Sequence, residues 1–219
     1  MKLNVGAGRG PMEGWLNLDL YPAAEGVVKW DVEGDESCPD GKGGIIADNS
    51  VDQIIMSHVI EHLHDPLKAM DHLWRLAKPG TLIELRVPHG ASDSAWTDIT
   101  HLRPWFPNSF RSFGQPWYWR ADYGFKGDWM IKRFLMFFNE DATKLNQSDY
   151  KTEEAFDHAR AEELWLRNHK ERNIAGEMVC VMEAIKPVRE NRKELQEGMH
   201  VEVIIATDAV KKVLRHGEL

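Results

Sequence analysis

The feature that most constrains the fold is a short apolar run that ends in a glycine-rich turn. Residues 3–5 read Leu-Asn-Val, and residues 6–11 read Gly-Ala-Gly-Arg-Gly-Pro. Glycine has no side chain and tolerates positive φ, so the main chain of such a turn can approach a ligand closely. This opening predicts a buried strand followed by a ligand-binding loop.

The spacing after this turn differs from that of a dinucleotide-binding fingerprint. That fingerprint is G-x-G-x-x-G opening a full helix, with an acidic residue about 20 residues further on. Here the third glycine, Gly10, comes one position early, Pro11 follows it, and Asp19 arrives after only nine more residues. Because a full crossover helix does not fit in that interval, a different nucleoside pocket is indicated.

Further short apolar runs alternate with connections along the first half of the chain. Asp65 and Pro66 open a helix that keeps apolar residues at helical spacing until Pro79 and Gly80 end it. Strands are predicted over residues 15–20, 27–32, 51–57 and 81–87. This alternation predicts an α/β fold with a doubly wound, mostly parallel sheet.

Several polar residues lie where these predicted strands end. Ligands of open α/β sheets bind outside the carboxyl ends of the strands. The rule places four strand-end side chains along one edge together with the glycine turn: Asp19, Asp31, His58 and His89.

The second half of the chain begins with a change of character. Residues 90–128 are crowded with aromatic side chains that show little periodicity, and we interpret them as a lid inserted after the fifth strand. Beyond this insertion, an amphipathic helix is predicted over residues 153–172. Strands are predicted over residues 129–138 and 177–186, and residues 201–207 are either one more strand or a tail packed on the edge.

Composition excludes several classes of function. The formal net charge of −8 disfavours a polyanion-binding surface, because nucleic-acid affinity comes largely from Lys and Arg. The two cysteines, Cys38 and Cys180, offer neither a disulfide framework nor a cysteine zinc site. The apolar runs are too short to span a bilayer, and no signal peptide precedes the first strand. We expect a cytoplasmic protein that binds neither nucleic acid nor a membrane, and the sequence leaves its oligomeric state open.

Five segments, in order, resemble the successive motifs of class I S-adenosylmethionine-dependent methyltransferases. They are NVGAG at residues 4–8, GWLNLD at 14–19, DNSVD at 48–52, SHVIEH at 57–62 and LAKPG at 76–80. The subset of that family with a shortened first helix is most similar. The resemblance, close over about the first 90 residues, implies a Rossmann-like methyltransferase fold and S-adenosyl-L-methionine as the cofactor. We expect one domain over residues 1–219, with a cofactor-binding half (1–89), a lid and acceptor insertion (90–128) and a C-terminal part (129–219).

The resemblance also implies roles for individual residues. Gly6 and Gly8 would approach the methionine moiety, and Asp19 would bind the ribose hydroxyls. Asp31 and Val32 would lie against adenine. The histidine after the fourth strand would sit near the transferring methyl group. Asn4 stands where the family usually has an acidic residue. The candidate cofactor-binding residues are Asn4, Gly6, Ala7, Gly8, Asp19, Leu20, Asp31, Val32 and His58.

The acceptor chemistry narrows the search for catalytic residues. Methyl transfer is an in-line displacement, so the protein must align the reactants and, for a hydroxyl or protonated amine, remove a proton. His89, Asp98 and His101 are the candidate catalytic residues, with Asp98 placed to orient the imidazole three residues on. Alternatively, Asp98 and His101 only hold the insertion in place. The candidate acceptor-binding residues are Glu61, His62, Arg103 and Trp105. After the fourth strand, residues 57–60 read Ser-His-Val-Ile, without the Asn/Asp-Pro-Pro-aromatic or Pro-Cys motif that DNA methyltransferases resemble one another in. This absence and the acidic charge favour O-methylation of a small-molecule or sugar-like acceptor.

Two other classes of function are compatible with the sequence. Residues 58–62 match the H-x-x-E-H pattern of zinc proteases, in which two imidazoles four apart on one helix bind the metal. His58 directly follows a strand, however, so it is displaced from the face of His62 and we expect no metal site. The second alternative is a cofactor-binding partner or sensor protein that does not catalyse, because binding motifs do not establish turnover.

Overall fold

The computed structural model describes residues 1–34, 36–121, 123–196 and 198–206, without the side chains of residues 140 and 206. The strands are β1 (Lys2–Val5), β2 (Leu16–Asp19), β3 (Val27–Lys29), β4 (Val51–Ser57), β5 (Ala77–Pro88), β6 (Trp129–Asn139), β7 (Ala175–Ala184) and β8 (Val201–Ala206). The α-helices are α1 (Pro66–Leu76), α2 (Ser94–Thr97) and α3 (Glu153–Asn168). No helix in the described part of the chain is long and apolar enough to cross a membrane.

All eight strands form one sheet in the order β3-β2-β1-β4-β5-β7-β6-β8. The strands β1 to β5 pair in parallel, β7 runs antiparallel to both β5 and β6, and β8 pairs in parallel with β6. The sheet is therefore mostly parallel, as the sequence predicts. The last of the predicted strands is present as β8, while residue 207 lies outside the described residues.

The centre of the sheet is built from the most apolar runs. Leu3 of β1 and Met56 of β4 are fully buried, and Leu73 of α1 packs in the same core. The helix begins as predicted, because the carboxylate of Asp65 accepts a hydrogen bond from the main-chain N–H of Lys68 at 3.0 Å. Burial of these apolar side chains is what holds the helix on the sheet.

Several predicted element boundaries were wrong. The helix ends at Leu76, before Pro79, and β5 begins at once because Ala77 pairs with Val51 ahead of a bulge. β2 and β3 are shorter than the predicted strands, β7 begins two residues before 177, and α3 ends at Asn168. Among the described residues no helix lies between β1 and β4, in keeping with the short interval after the glycine turn.

The inner part of the insertion, defined as residues 105–118, belongs to the core. Trp105 is 4% exposed and Phe110 is fully buried. The ring of Phe110 packs against that of Phe134 in β6, with 5.5 Å between centroids. The buried side chains of this part consequently form a layer packed on the sheet.

The outer part of the insertion, defined as residues 94–103, has the opposite character. Trp96 is 58% exposed and Ile99 is 95% exposed. Exposed apolar side chains at this level mark a surface that is free to contact another molecule. This outer part retains the features expected of a lid, and Tyr123, further along the insertion, is 73% exposed as well.

Candidate active site

The glycine loop, residues 6–10, leaves β1 and crosses the carboxyl end of β2. The main-chain N–H groups of Gly6 and Ala7 both donate to the carbonyl oxygen of Leu18, at 2.8 and 3.0 Å. Ala7 is itself buried. The loop is thus fixed to the neighbouring strand by main-chain hydrogen bonds, with no long side chain in between.

The two glycines of the loop are required for different reasons. Gly6 and Gly8 have φ values of 76° and 50°, in the left-handed region that favours glycine. A Cβ atom on Gly6 would lie 2.0 Å from Cγ2 of Val59, so this glycine lets the loop pack against the segment after β4. A Cβ atom on Gly8 would meet no heavy atom within 4 Å. Gly8 therefore leaves open space beside bare main chain.

Asp19 is held at the end of β2 by two main-chain donors. Oδ2 accepts from the N–H of Gly8 at 2.8 Å, and Oδ1 accepts from the N–H of Tyr21 at 2.7 Å. A carboxylate oxygen can accept more than one hydrogen bond, so both oxygens keep capacity for hydroxyl donors. The neighbouring Leu20 is 39% exposed and provides an apolar surface beside the carboxylate.

Asn4 lies under the glycine loop. Its Nδ2 donates to Oδ1 of Asn17 at 2.9 Å and to the carbonyl oxygen of Gly10 at 3.3 Å. Asn17 also accepts from the N–H of Met12 at 2.7 Å. An amide at position 4 therefore closes the turn from below, which an acceptor-only carboxylate cannot do in the same way.

Asp31 and Val32 follow β3 at the same edge of the sheet. Oδ1 of Asp31 accepts from the N–H groups of Glu33 and Gly34, both at 3.0 Å, which forms a tight turn. Val32 is buried, and its carbonyl oxygen accepts from Nδ1 of His72 at 2.7 Å. The two predicted adenine contacts are thus fixed in position by a turn and by a buried histidine of α1.

His58 directly follows β4 in a left-handed conformation, with φ 54°. Its Nε2 lies 2.9 Å from Oε1 of Glu177, and its Nδ1 lies 3.3 Å from Oε1 of Glu61. The carboxylates of Glu177 and, second, Glu61 raise the pKa of this imidazole to about 9. The residue is consequently a cation at neutral pH, and the H-x-x-E-H pattern does not place two imidazoles on one helix.

A cluster of ionisable side chains forms next to it, which we call the Glu61 cluster: Glu61, His62 and His101. Glu61 is 1% exposed, and neither of its carboxylate oxygens has a hydrogen-bond partner among the described residues. Nε2 of His101 lies 4.0 Å from Oε1 of Glu61, and the rings of His62 and His101 have centroids 4.7 Å apart. The N–H of Leu102 donates to the carbonyl oxygen of Glu61 at 2.9 Å and joins the two segments.

Asp98 contacts this cluster through a threonine. Its Oδ1 accepts from the N–H and the hydroxyl of Thr100, at 2.8 and 2.6 Å, and these bonds lower the pKa of Asp98. Oδ2 of Asp98 remains 4.0 Å from Nε2 of His101, too long for a hydrogen bond. The imidazole is oriented instead by the carbonyl oxygen of Ala95, 3.1 Å from Nδ1.

His89 faces a different space from His101. It is 3% exposed and, with Phe106 and Trp165, lines a cavity of about 700 Å³. Burial, with a smaller contribution from the charge of His169, lowers its pKa to about 4. The structure therefore separates two histidines that the sequence grouped as candidate bases.

Arg103 and Trp105 line a second cavity, of about 340 Å³. Nη2 of Arg103 donates to the carbonyl oxygen of His64 at 2.8 Å, which directs this side chain across the segment after β4. The other walls combine apolar, aromatic and hydroxyl groups: Pro66, Leu67, Pro104, Ser109, Ser112, Phe113, Tyr118 and Tyr123. Two of the four predicted acceptor-binding residues thus share one pocket, whereas Glu61 and His62 are not among its lining residues.

Three residues of the site were not foreseen from the sequence. Asn17 carried a usable signal, since it is a polar residue within an apolar strand two positions before Asp19. Thr100 lies inside a segment that was already a candidate. Glu177 carried no such signal, because only the pairing of Glu177 with Pro88 brings it to the end of β5, near His58.

Comparisons with known proteins agree with this architecture. A family model described as a methyltransferase domain matches residues 3–141. No curated protein sequence matches the chain. A SAM-dependent methyltransferase from Archaeoglobus fulgidus has a similar structure, with 20% identity, coverage of 83% of this chain and 85% of that one, and a TM-score of 0.57. The YcgJ protein of Bacillus subtilis is also similar, with 13% identity, coverage of 84% and 91%, and a TM-score of 0.47.

Proposed function

This chain belongs to the S-adenosylmethionine-dependent methyltransferases, and from that premise we propose that it methylates a hydroxyl oxygen of a small, sugar-like molecule. The family gives the activity and the cofactor. The acceptor class, the methylated atom and the residues that act on them are what we propose here from the site.

The rim around the glycine loop fits this cofactor. Gly8 leaves open space beside main chain, Asp19 keeps hydrogen-bonding capacity on both oxygens, and Leu20 offers an exposed apolar surface. In the proposal Asp19 accepts hydrogen bonds from the ribose hydroxyls, while Leu20 and the turn at Asp31 and Val32 flank the adenine. His58 lies at the end of β4, and the remaining loop residues, Asn4, Gly6 and Ala7, shape the floor.

The cavity lined by Arg103 and Trp105 supports a small acceptor. Its volume of about 340 Å³ lies in the range of about 300–1,000 Å³ usual for small-molecule pockets. An aromatic face at Trp105 and the hydroxyls of Ser109 and Ser112 suit a ring that carries several hydroxyl groups. In the proposal these residues orient the acceptor.

The reaction requires alignment and the loss of a proton. S-adenosylmethionine supplies a methyl group on a positively charged sulfur, which an acceptor oxygen displaces in line to leave neutral S-adenosylhomocysteine, a methyl ether and a proton. We assign the loss of that proton to the Glu61 cluster, where Nε2 of His101 faces a buried carboxylate. His89 is assigned a structural role, because its lowered pKa and burial in a separate cavity suit a neutral packing residue.

One short segment, residues 98–105, carries the main support for this function. His101 faces Glu61, Asp98 orders the turn, and Arg103 and Trp105 line the acceptor cavity. Proton removal and acceptor binding therefore meet on one stretch of chain that follows β5. A hydroxyl and a protonated amine both have to lose a proton, and the hydroxyl is favoured because, among the described residues, Arg103 and no acidic side chain lines the acceptor cavity.

The test is an acceptor screen that measures release of S-adenosylhomocysteine. Pools of polyhydroxylated small molecules are compared with matched pools of deoxy analogues, amines, oligonucleotides and peptides. We expect release with the hydroxylated pool and a KM raised about tenfold by Arg103→Gln, which is a loss of about 1.4 kcal/mol of binding. The exposed Arg120, which stacks on Trp119, offers a control in Arg120→Gln, which should leave KM unchanged. Release only with amines, oligonucleotides or peptides would overturn the proposal.

A further inference from the structure

Glu61 presents an electrostatic problem that the protein part of the site solves only in part. Its carboxylate is 99% removed from solvent, with 1% of the residue exposed, yet no described residue donates a hydrogen bond to either oxygen. A buried carboxylate without donors is strongly unfavourable unless a cation lies against it. The neighbouring His58 is an incomplete answer, because its better contact is with Glu177 at 2.9 Å and its 3.3 Å approach to Glu61 lacks hydrogen-bond geometry.

The imidazoles of His62 and His101 both carry a hydrogen on Nδ1. Nδ1 of His101 lies 3.1 Å from the carbonyl oxygen of Ala95, and a carbonyl can only accept, so this nitrogen carries the hydrogen. Nδ1 of His62 lies 2.9 Å from Oγ1 of Thr100, whose hydrogen is already donated to Asp98. Nδ1 of His62 is therefore also the donor. In the neutral form of both rings the lone pair is therefore on Nε2.

We infer that Glu61, His62 and His101 bind one divalent transition-metal ion. One ligand atom from each of the three residues lies within 4.8 Å of the other two. Ligand atoms around a tetrahedral zinc ion lie about 3.4 Å apart, so binding requires the three side chains to move inwards by about 1 Å. The site differs from the H-x-x-E-H pattern in the sequence, because its second imidazole is that of His101 and not that of His58.

The donor set selects the class of metal. Two imidazole nitrogens and one carboxylate suit Zn²⁺, Fe²⁺ or Co²⁺, whereas Mg²⁺ and Ca²⁺ prefer oxygen ligands. Metal-binding histidines usually donate their other N–H to a carbonyl, hydroxyl or carboxylate, which fixes the ring. Ala95 and the Thr100–Asp98 pair supply such acceptors here. Three protein ligands leave a coordination position open for a water molecule or for the acceptor hydroxyl.

This site deepens the proposed function and rests on it. A metal ion held by these three residues would lower the pKa of a hydroxyl bound at its open coordination position, so that the proton could leave to solvent without a protein base. His101 then acts as a ligand, and Asp98 and Thr100 act as positioning residues.

The experiment titrates the metal-free protein with Co²⁺, without cofactor or acceptor, and follows the visible absorption of the bound ion. We expect one Co²⁺ per chain, and at least 100-fold weaker binding in Glu61→Gln and in His101→Asn. Thr100→Val should weaken binding about tenfold, because it releases the ring of His62. Zn²⁺ should displace the Co²⁺, and Ca²⁺ should not.

The controls separate metal binding from folding and from methyl transfer. His158→Asn removes an exposed imidazole on α3 and should bind Co²⁺ as the wild type does. Circular dichroism checks each variant, and His62→Asn, at a less buried position, replaces any variant that does not fold. Absence of the absorption band in the wild type, equal binding in the ligand variants, or displacement by Ca²⁺ would overturn the inference. Because no cofactor is present, a negative result here leaves the acceptor screen untouched, and the reverse also holds.

Discussion

The glycine loop and the acceptor side, residues 58–62 with 89–105, meet at one edge of the sheet but are built differently. The loop is positioned by main-chain bonds to Leu18 and by the absence of side chains at Gly6 and Gly8. The acceptor side is positioned by ionisable side chains from separate segments, such as Glu61 and His101. We therefore expect a single added methyl group in the loop to lower the stability of the protein, whereas pH should hardly affect the loop. On the acceptor side we expect pH to affect stability more than an added methyl group does.

Gly6→Ala should give the largest effect. The new Cβ would lie 2.0 Å from Cγ2 of Val59, and overpacking of this kind costs about 1–3 kcal/mol. Gly14 offers a matched control, since both glycines have φ 76° but a Cβ on Gly14 meets nothing within 4 Å. Both variants should lose about 1–2 kcal/mol to the left-handed conformation, and only Gly6→Ala should lose more. Urea unfolding measures the difference.

A double variant sharpens this first prediction. Val59→Ala removes the methyl groups that the new Cβ would meet, so Gly6→Ala should be less destabilising in that background by about 1 kcal/mol or more. If the penalty of Gly6→Ala were the same in both backgrounds, the close packing of the loop on the segment after β4 would not be its cause.

The parts of the site that could be predicted from the sequence are local ones. The glycine loop directly follows β1, and Asp19 is the last residue of β2. Parallel strands bring their carboxyl ends to one edge of the sheet whatever the details of packing. The order of motifs was therefore enough to place Asp19, Asp31 and His58 at the same rim. What the motifs did not reveal was the polar layer beneath the loop, where Nδ2 of Asn4 donates a hydrogen bond to Oδ1 of Asn17.

The parts that could not be predicted depend on register and on long-range contacts. β7 inserts between β5 and β6 and pairs Glu177 with Pro88, which no local pattern encodes. His101 was proposed to pair with Asp98, because spacing alone was visible. In the structure its Nδ1 turns to Ala95 and its Nε2 faces Glu61, 40 positions earlier in the chain. Side-chain direction at a distance of this kind is decided by packing and not by spacing.

Gly8→Ala should give the second-largest effect, which is weaker cofactor binding and not a packing defect. Its Cβ would enter the open space that we assign to the cofactor, with φ 50°. We expect the Kd for S-adenosylhomocysteine to rise at least tenfold, about 1.4 kcal/mol, by isothermal titration. Gly14→Ala, with a similar conformational cost, should keep the wild-type Kd. Equal affinities in these two variants would place the cofactor elsewhere on the rim.

The smallest expected effect is the pH dependence of stability that His89 causes. It distinguishes the acceptor side from the glycine loop, which has no such dependence. Burial lowers its pKa to about 4, whereas in the unfolded chain it is near 6.5. The neutral form therefore stabilises the fold fully above pH 6.5, and this contribution is lost as pH falls towards 4. The expected loss between pH 7.5 and pH 5.5 is about 1 kcal/mol of unfolding free energy.

The variant His89→Gln tests that assignment. The amide does not titrate, so the wild-type stability should fall more steeply than that of the variant between pH 7.5 and pH 5.5. Gly14→Ala changes only the loop region and should keep the wild-type slope, because no ionisable group of the acceptor side is altered. Parallel slopes for wild type and His89→Gln would show that His89 accepts its proton in the folded protein near pH 6.5. Burial of the His89 imidazole would then contribute nothing to the pH dependence of the unfolding free energy.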